Sequence, residues 1–198
     1  ATSNVNKVRE LKQTLEELGF ELITNQDLPE VPVINENGRT FIENATIKAH
    51  TLAEFTKLPV IADDSGLTVD YLNGQPGVRS ARYASDHNDA ANNAKLLAEL
   101  GGVEPAKRTA TFKTAIVASF PGKFADDLVV EGQSAGIILA VPRGDNGFGY
   151  DPLFYHEDLG KTFAEMTVEE KNSVSHRGNA LRQLVEELPQ WYAEVSHE

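Results

Sequence analysis

Apolar side chains recur every three to four residues over 4–18, where Val8, Leu11, Leu15 and Leu18 share one side of a predicted helix. Asn4 suits its N-cap and Gly19 its stop. "FELIT" (20–24) alternates enough to predict a strand, and a polar, Pro-containing loop covers 25–39. Thr40 and Glu43 have the spacing of a capping box and predict a helix reaching about Phe55. "LPVIADD" (58–64) predicts a strand that ends on a doubled carboxylate, Asp63-Asp64, followed by the turn-forming pair Ser65-Gly66.

Residues 71–85 hold several Gly, Pro and Ser and predict a loop, and 87–100 predict an amphipathic helix closed by Gly101-Gly102. The segments 108–120 and 127–141 predict two strands with a turn at Pro121-Gly122. "PRGDNGFGYDPLFY" (142–155) is dense in Gly and aromatics. Thr167 and Glu170 form a second capping-box pattern, opening a helix predicted to reach Leu188. No repeat, low-complexity tract or linker interrupts this order, which predicts one α/β unit over 1–198. The β-rich middle, about 108–155, is its candidate second lobe.

The 198 residues suffice for one large domain or two small lobes, and 40% apolar with 24% charged residues is ordinary globular composition. No cysteine is present, which excludes disulfides and thiolate metal sites and fits a reducing, cytoplasmic setting. No apolar run is long enough for a membrane helix. A formal charge of −12 opposes binding to a nucleic-acid backbone, yet leaves room for a small anion held by local cations. The opening "ATSN" is a turn that an open α/β domain normally reaches from a short apolar strand, so residues upstream of Ala1 are expected.

Five segments could carry chemistry, and each also has a plain reading. "TSNVNK" places free N–H groups and Lys7 at a helix start, which suits an anion or is simply a capped surface helix. In the second, Glu36 precedes a cap, while Asn44 and Lys48 lie four apart on one helix face, open to ligand or to solvent. "ADDSG" at a strand's carboxyl end suits Mg²⁺, which takes one or two carboxylates plus phosphate and water; a polar turn is the alternative. The glycines around Phe148 let backbone approach a flat ligand on which the ring could stack, or merely plug a hairpin turn. Lys171, His176 and Arg177 fall on the last predicted helix, five and one apart, as planar-group donors or a solvated face. Together the five fit a nucleoside triphosphate with Mg²⁺.

In order, "TSNxxK", "ENGxTFxENAxxKA", "ADDSGLxVDxLxGxPGxxSARY", "GFGYDPxF" and "EEKNxxSHRGxAL" resemble the inosine triphosphate pyrophosphatase family, in its bacterial branch. These motifs run from residue 2 to about 181. The resemblance implies an elongated two-lobed α/β fold around a long mixed twisted sheet, with flanking helices, a cleft between the lobes and a homodimer. The implied reaction is Mg²⁺-dependent hydrolysis of ITP, dITP and XTP to the monophosphate and pyrophosphate. On that pattern Thr2, Ser3, Asn4, Lys7 and Lys48 hold the triphosphate, with Ser3 standing where the family commonly has Gly. Glu36 and Asp64 position Mg²⁺ with Asp63 beside them, and Asp64 takes the proton of the attacking water. Ser65 touches the substrate. Phe148, Gly149, Tyr150 and Asp151 form the base pocket, which Lys171, His176 and Arg177 complete around the purine's six-position oxygen.

An ordinary carboxyl pKa near about 4 would keep Asp64 ionised at neutral pH, and a bound cation would relieve its repulsion with Asp63. Three other readings compete: a related pyrophosphatase for modified or pyrimidine nucleotides, a phosphomonoesterase with an Asp nucleophile, and a non-catalytic nucleotide-binding protein.

Overall fold

Asn4 caps the first helix through its side-chain oxygen, which accepts from the N–H groups of Asn6 (3.0 Å) and Lys7 (3.3 Å). The computed structural model describes Thr2 and residues 4–197. Ser3, expected at the phosphate-binding turn, lies outside the described residues. Helix α1 (Val5–Glu17) buries Leu11 and Leu15 on the predicted face. The segment 20–24 differs from expectation. Phe20 and Leu22 pack on the core as alternation requires, but the main chain of Glu21, Leu22 and Ile23 makes no hydrogen bond among the described residues. Side-chain period was right; no ladder partner makes it a strand.

Helix α2 (Phe41–Thr56) starts at Thr40, whose hydroxyl accepts from Glu43 N–H at 3.1 Å. The Glu43 carboxylate reaches one residue further back, to Arg39 N–H at 2.6 Å, so only half of the predicted box forms. Strand β1 (Val60–Val69) is the main departure: it does not end at the carboxylates but runs on through Asp63, Asp64, Ser65 and Gly66. Ladder pairing overrides turn propensity here, since β1 lies beside β2 (Thr109–Ser119), whose Thr114 hydroxyl donates to Asp64 O at 3.3 Å.

Helix α3 (Asp89–Glu99), capped by Asn88, precedes β2; β3 (Leu128–Ile138), β4 (Phe154–His156) and β5 (Lys161–Thr162) follow it. The five strands pair in chain order, with β3–β4 and β4–β5 antiparallel. Among the described residues the sheet is antiparallel where a mixed one was expected, because neighbours in sequence are neighbours in space and no parallel crossover is needed.

The last predicted helix is two. Helix α4 (Val168–Val174) opens on the complete Thr167–Glu170 capping box, Ser175 is extended, and α5 (His176–Ser196) restarts. The Ser175 hydroxyl accepts from Gly178 N–H at 3.0 Å, serving as the new cap. Lys171 thus sits on a different helix from His176 and Arg177. No helix among the described residues is long and apolar enough to cross a membrane.

By its contacts the chain divides into two units, and the middle segment, 108–155, is shared between them. The first holds Ala1–Asp64, Thr114–Gly132 and Ala180–Glu198. In it β2 sorts its neighbours by period two: Ile116 and Ala118 pack with Leu11, Leu15, Leu184 and Leu188, while Ala115 and Val117 pack with Ala45 and Ala49 of α2. The second unit holds Ser65–Lys113 and Gln133–Asn179, around Leu67, Val69, Leu96, Phe112, Phe154 and Phe163. Each such large side chain contributes about 1.5–3 kcal/mol by leaving water.

Candidate active site

Strand alternation decides where the doubled carboxylate points. Ile61 packs with the α1 layer and Ala62 with the α2 layer. Two residues on, Asp63 follows Ile61 and Asp64 follows Ala62. The Asp63 carboxylate meets Lys7 of α1 at 2.7 Å, and Asp64 Oδ1 lies 4.0 Å from Lys48 of α2. Neighbours in sequence, the two acids are separated by the pleat and each has its own lysine. Each carboxylate so meets a positive charge on its own face of the strand.

Lys48 gathers the rest of this first cluster. Its ammonium stands 3.2 Å from Glu36 Oε1 and donates to the main-chain oxygen of Asp63. Asn44, buried one turn before it, accepts from Gly38 N–H at 2.8 Å and hydrogen-bonds the Asp64 carboxylate. The Thr2 hydroxyl accepts from Asn4 N–H at 3.2 Å, closing the turn ahead of Lys7. Ser65 continues β1 as a residue of the second unit.

Burial pushes Asp64 up to about 6, against the pull of Lys48, the Asn44 hydrogen bond and Lys7, and with a further push from Glu36. The ordinary value assumed from sequence is corrected on that account. Its Oδ2 is buried and has no hydrogen-bond partner among the described residues. That orphaned acceptor, with Glu36 converging on the same ammonium, fits a hard cation that arrives with phosphate oxygens and water. Among the described residues no three acidic or histidine side chains form a metal cage. Asp63 is occupied by Lys7, leaving Glu36 and Asp64 as the better-placed ligands.

The second cluster lies within the second unit. Asp151, 3% exposed, accepts from Lys171 at 2.6 Å and from Phe148 N–H at 3.1 Å. Burial raises its pKa, with Lys171, the Phe148 N–H and Arg177 opposing. A Cβ on Gly147 would stand 2.1 Å from Asp151 Oδ2, so only glycine lets the loop close on the carboxylate. The Lys171 ammonium lies 4.9 Å from the Phe148 ring centroid and the Arg177 guanidinium 5.8 Å. The His176 ring stacks on Phe112 at 4.8 Å and 13°. This group offers the Phe148 ring with two cationic side chains beside it, and the His176 imidazole packed on Phe112.

Tyr150 departs from its expected role in one respect: its ring is buried in the core, and its hydroxyl donates to Ser80 O at 2.6 Å. Any contact it makes with a ligand falls to its main chain.

Several residues escaped the sequence-level site. Asn44 was visible only as a helix-face neighbour of Lys48. Phe112, from β2, gave no local signal. Asp89 and Asn93 of α3 hold Gly149: its N–H donates to Asp89 Oδ2 at 2.8 Å, and its carbonyl accepts from Asn93 Nδ2 at 2.8 Å. Their four-residue spacing was the available clue.

Known proteins resemble this chain along nearly its whole length. It is 60% identical to a dITP/XTP pyrophosphatase of Lactobacillus johnsonii, an alignment covering 100% of this chain and 97% of that one. Identity to the Lactobacillus acidophilus protein of the same name is 62%, covering 96% and 95%. Among solved structures, a HAM1 protein from Coxiella burnetii superposes with a TM-score of 0.89 at 42% identity, covering 96% of each chain. The Staphylococcus aureus Ham1 protein gives 0.86 at 39%, with the same coverage. The Ham1 family model matches residues 1–187, and with that match the chain belongs to the Ham1 family.

Proposed function

We propose that this protein hydrolyses non-standard purine nucleoside triphosphates, dITP, XTP and ITP, to the monophosphate and pyrophosphate. Two relatives at 60% and 62% identity carry the name dITP/XTP pyrophosphatase, which supports the substrate class. The observation that carries the chemistry is Asp64: a buried carboxylate raised to about 6, with one oxygen unpaired and a lysine beside the other.

The first cluster suits the phosphate end. Lys48 and Lys7 are cations whose partners are carboxylates or carbonyl oxygen, and phosphate oxygens can share them. The N-terminus of α1 adds a partial positive charge, although the N–H groups of Asn6 and Lys7 are taken by the Asn4 cap. Asp64 orients a water, whose oxygen attacks the α-phosphorus. The α–β bridging oxygen leaves with pyrophosphate, and the water's proton passes to Asp64. A pKa near 6 leaves Asp64 largely ionised at neutral pH yet basic enough to accept that proton. Mg²⁺ held by Glu36 and Asp64 would neutralise phosphate charge and make the phosphorus more electrophilic.

The second cluster suits the base. Phe148 gives the stacking surface, and Lys171, His176 and Arg177 give donors for a six-position oxygen. Against adenine's amino group those donors stay unpaired, which can cost orders of magnitude in kcat/KM.

The test is an assay of ITP, XTP, ATP and GTP with Mg²⁺ that resolves pyrophosphate from orthophosphate. Pyrophosphate from ITP and XTP, with ATP and GTP nearly untouched, is expected. Orthophosphate as the first product would replace the proposal with a phosphomonoesterase.

A further inference from the structure

We infer that Asp89 and Asn93 are positioning residues that hold the base-binding loop in its selective shape, an inference that rests on the assignment of Phe148 and its neighbours to the base.

Gly149 is held at both of its peptide groups by one helix. Its N–H donates to Asp89 Oδ2 and its carbonyl accepts from Asn93 Nδ2, each at 2.8 Å. Asp89 and Asn93 are four apart, hence on one face of α3. The grip is internally braced, because Asn93 Nδ2 also donates to the Asp89 carbonyl at 2.8 Å. The helix is itself fixed: Leu96 is fully buried, and Asn92 accepts from the N–H groups of Ala84 (2.7 Å) and Ser85 (3.1 Å).

A peptide group is planar and trans, so fixing one end of it aims the other. The Gly149 carbonyl and the Tyr150 N–H share a peptide. With the carbonyl drawn to α3, the Tyr150 N–H points away from α3. That N–H makes no hydrogen bond among the described residues. The preceding peptide joins Gly149 N–H to Phe148, so the Asp89 contact sets the backbone from which the Phe148 ring projects toward Lys171 and Arg177. A donor left unpaired is costly wherever water cannot reach it, and a ligand carbonyl is its natural partner. The Asp89–Asn93 pair thus holds an aromatic platform and a main-chain donor in register; the platform accepts any flat ring, and the donor, beside Lys171, His176 and Arg177, favours a six-oxo ring over a six-amino one.

The variants Asp89→Ala, Asp89→Asn, Asn93→Ala and Asn93→Asp separate this role from general support. Both alanine variants are expected to raise KM for ITP about tenfold, keep kcat within about twofold, and narrow the ITP-over-ATP preference in kcat/KM. Asp89→Asn keeps an acceptor for Gly149 N–H and is expected to restore the parental KM. Asn93→Asp cannot donate to the Gly149 carbonyl and is expected to behave like Asn93→Ala. Parental KM and preference in both alanine variants would overturn the inference, as would equal losses in all four that track a fall in melting temperature. Affinity for inosine monophosphate, measured by calorimetry in the same variants, needs no turnover. If the parent released no pyrophosphate, the proposed reaction would fail while this binding series still decided the positioning role by the same pattern.

Discussion

The Lys7 ammonium stands 2.7 Å from the Asp63 carboxylate, with Asp63 5% exposed in its side chain and Lys7 15%. One β-strand residue thereby anchors the N-terminal turn of α1. Removing only the lysine leaves a desolvated carboxylate without its counter-ion, a change that costs about 3–5 kcal/mol in such pairs. Lys7→Met is therefore expected to be strongly destabilising, and Lys7→Met with Asp63→Leu to recover much of the loss. Urea unfolding of the two single variants and the double variant measures the coupling. Additive losses would show that the pair does not hold the turn.

Asp64 predicts a stability cost that accompanies its proposed role. Its carboxyl titrates at 3.8 when unfolded and at about 6 when folded. Below 3.8 both states are neutral and the site costs nothing. Between 3.8 and about 6 the unfolded state gives up its proton first, so stability falls as pH rises. Above that window a penalty of about 3 kcal/mol remains, from roughly two pKa units at 1.36 kcal/mol each. Without divalent metal, Asp64→Asn is expected to be more stable than the parent at pH 8 and equal to it near pH 3. The same variant is expected to lose at least about a hundredfold in turnover, the usual contribution of a positioned base. Near-parental turnover in a folded Asp64→Asn protein would remove Asp64 from the mechanism.

Gly178 is where α5 restarts against the end of α4. A Cβ there would fall 1.8 Å from the main-chain oxygen of Asn172, which cannot yield as a side chain could. Gly178→Ala is expected to destabilise by about 3 kcal/mol, at the upper end for overpacking, and to raise KM for ITP because Lys171 and Arg177 lie on either side of the junction. Thermal unfolding beside steady-state kinetics reads both. A melting temperature unchanged from the parent would mean that the helix break does not depend on this contact.

What the sequence revealed follows the range of the forces involved. The Asn4 cap and the Thr167–Glu170 box are contacts across a few residues, and both form as their spacing predicts. The Asp63-Asp64-Ser65-Gly66 stretch has turn chemistry locally, but pairing with β2 and lysines from two helices keep it a strand; those partners lie 15 to 56 residues away along the chain. Ser175 is a capping residue type, but serine also occurs inside helices, so the break before His176 became legible only when the Asn172 oxygen and Gly178 were seen together. Residue types at the site were legible for the same reason in reverse. Asp64, Lys48, Phe148 and Arg177 stand in short motifs, whereas Asn93 and Phe112 act through contacts 56 and 64 residues away.

Arg108 gives the last prediction. Its guanidinium, 5% exposed over the whole residue, donates to four main-chain carbonyls: Leu100 (2.7 Å), Val103 (3.4 Å), Ile138 (2.7 Å) and Leu139 (3.1 Å). Burial lowers its pKa, yet a guanidinium stays protonated in a protein. The carbonyls come from the end of α3, the turn after it and the end of β3, so one planar fork ties three segments of the second unit together. Lysine keeps the charge but has one nitrogen and no fork, and cannot reach carbonyls spread around a plane. Arg108→Lys is expected to cost about 3 kcal/mol, from the carbonyls left unpaired together with an ammonium short of acceptors. The urea midpoint should fall with an unchanged dependence on denaturant. A loss below about 1 kcal/mol would mean that charge alone, and not the fork, is what this position needs.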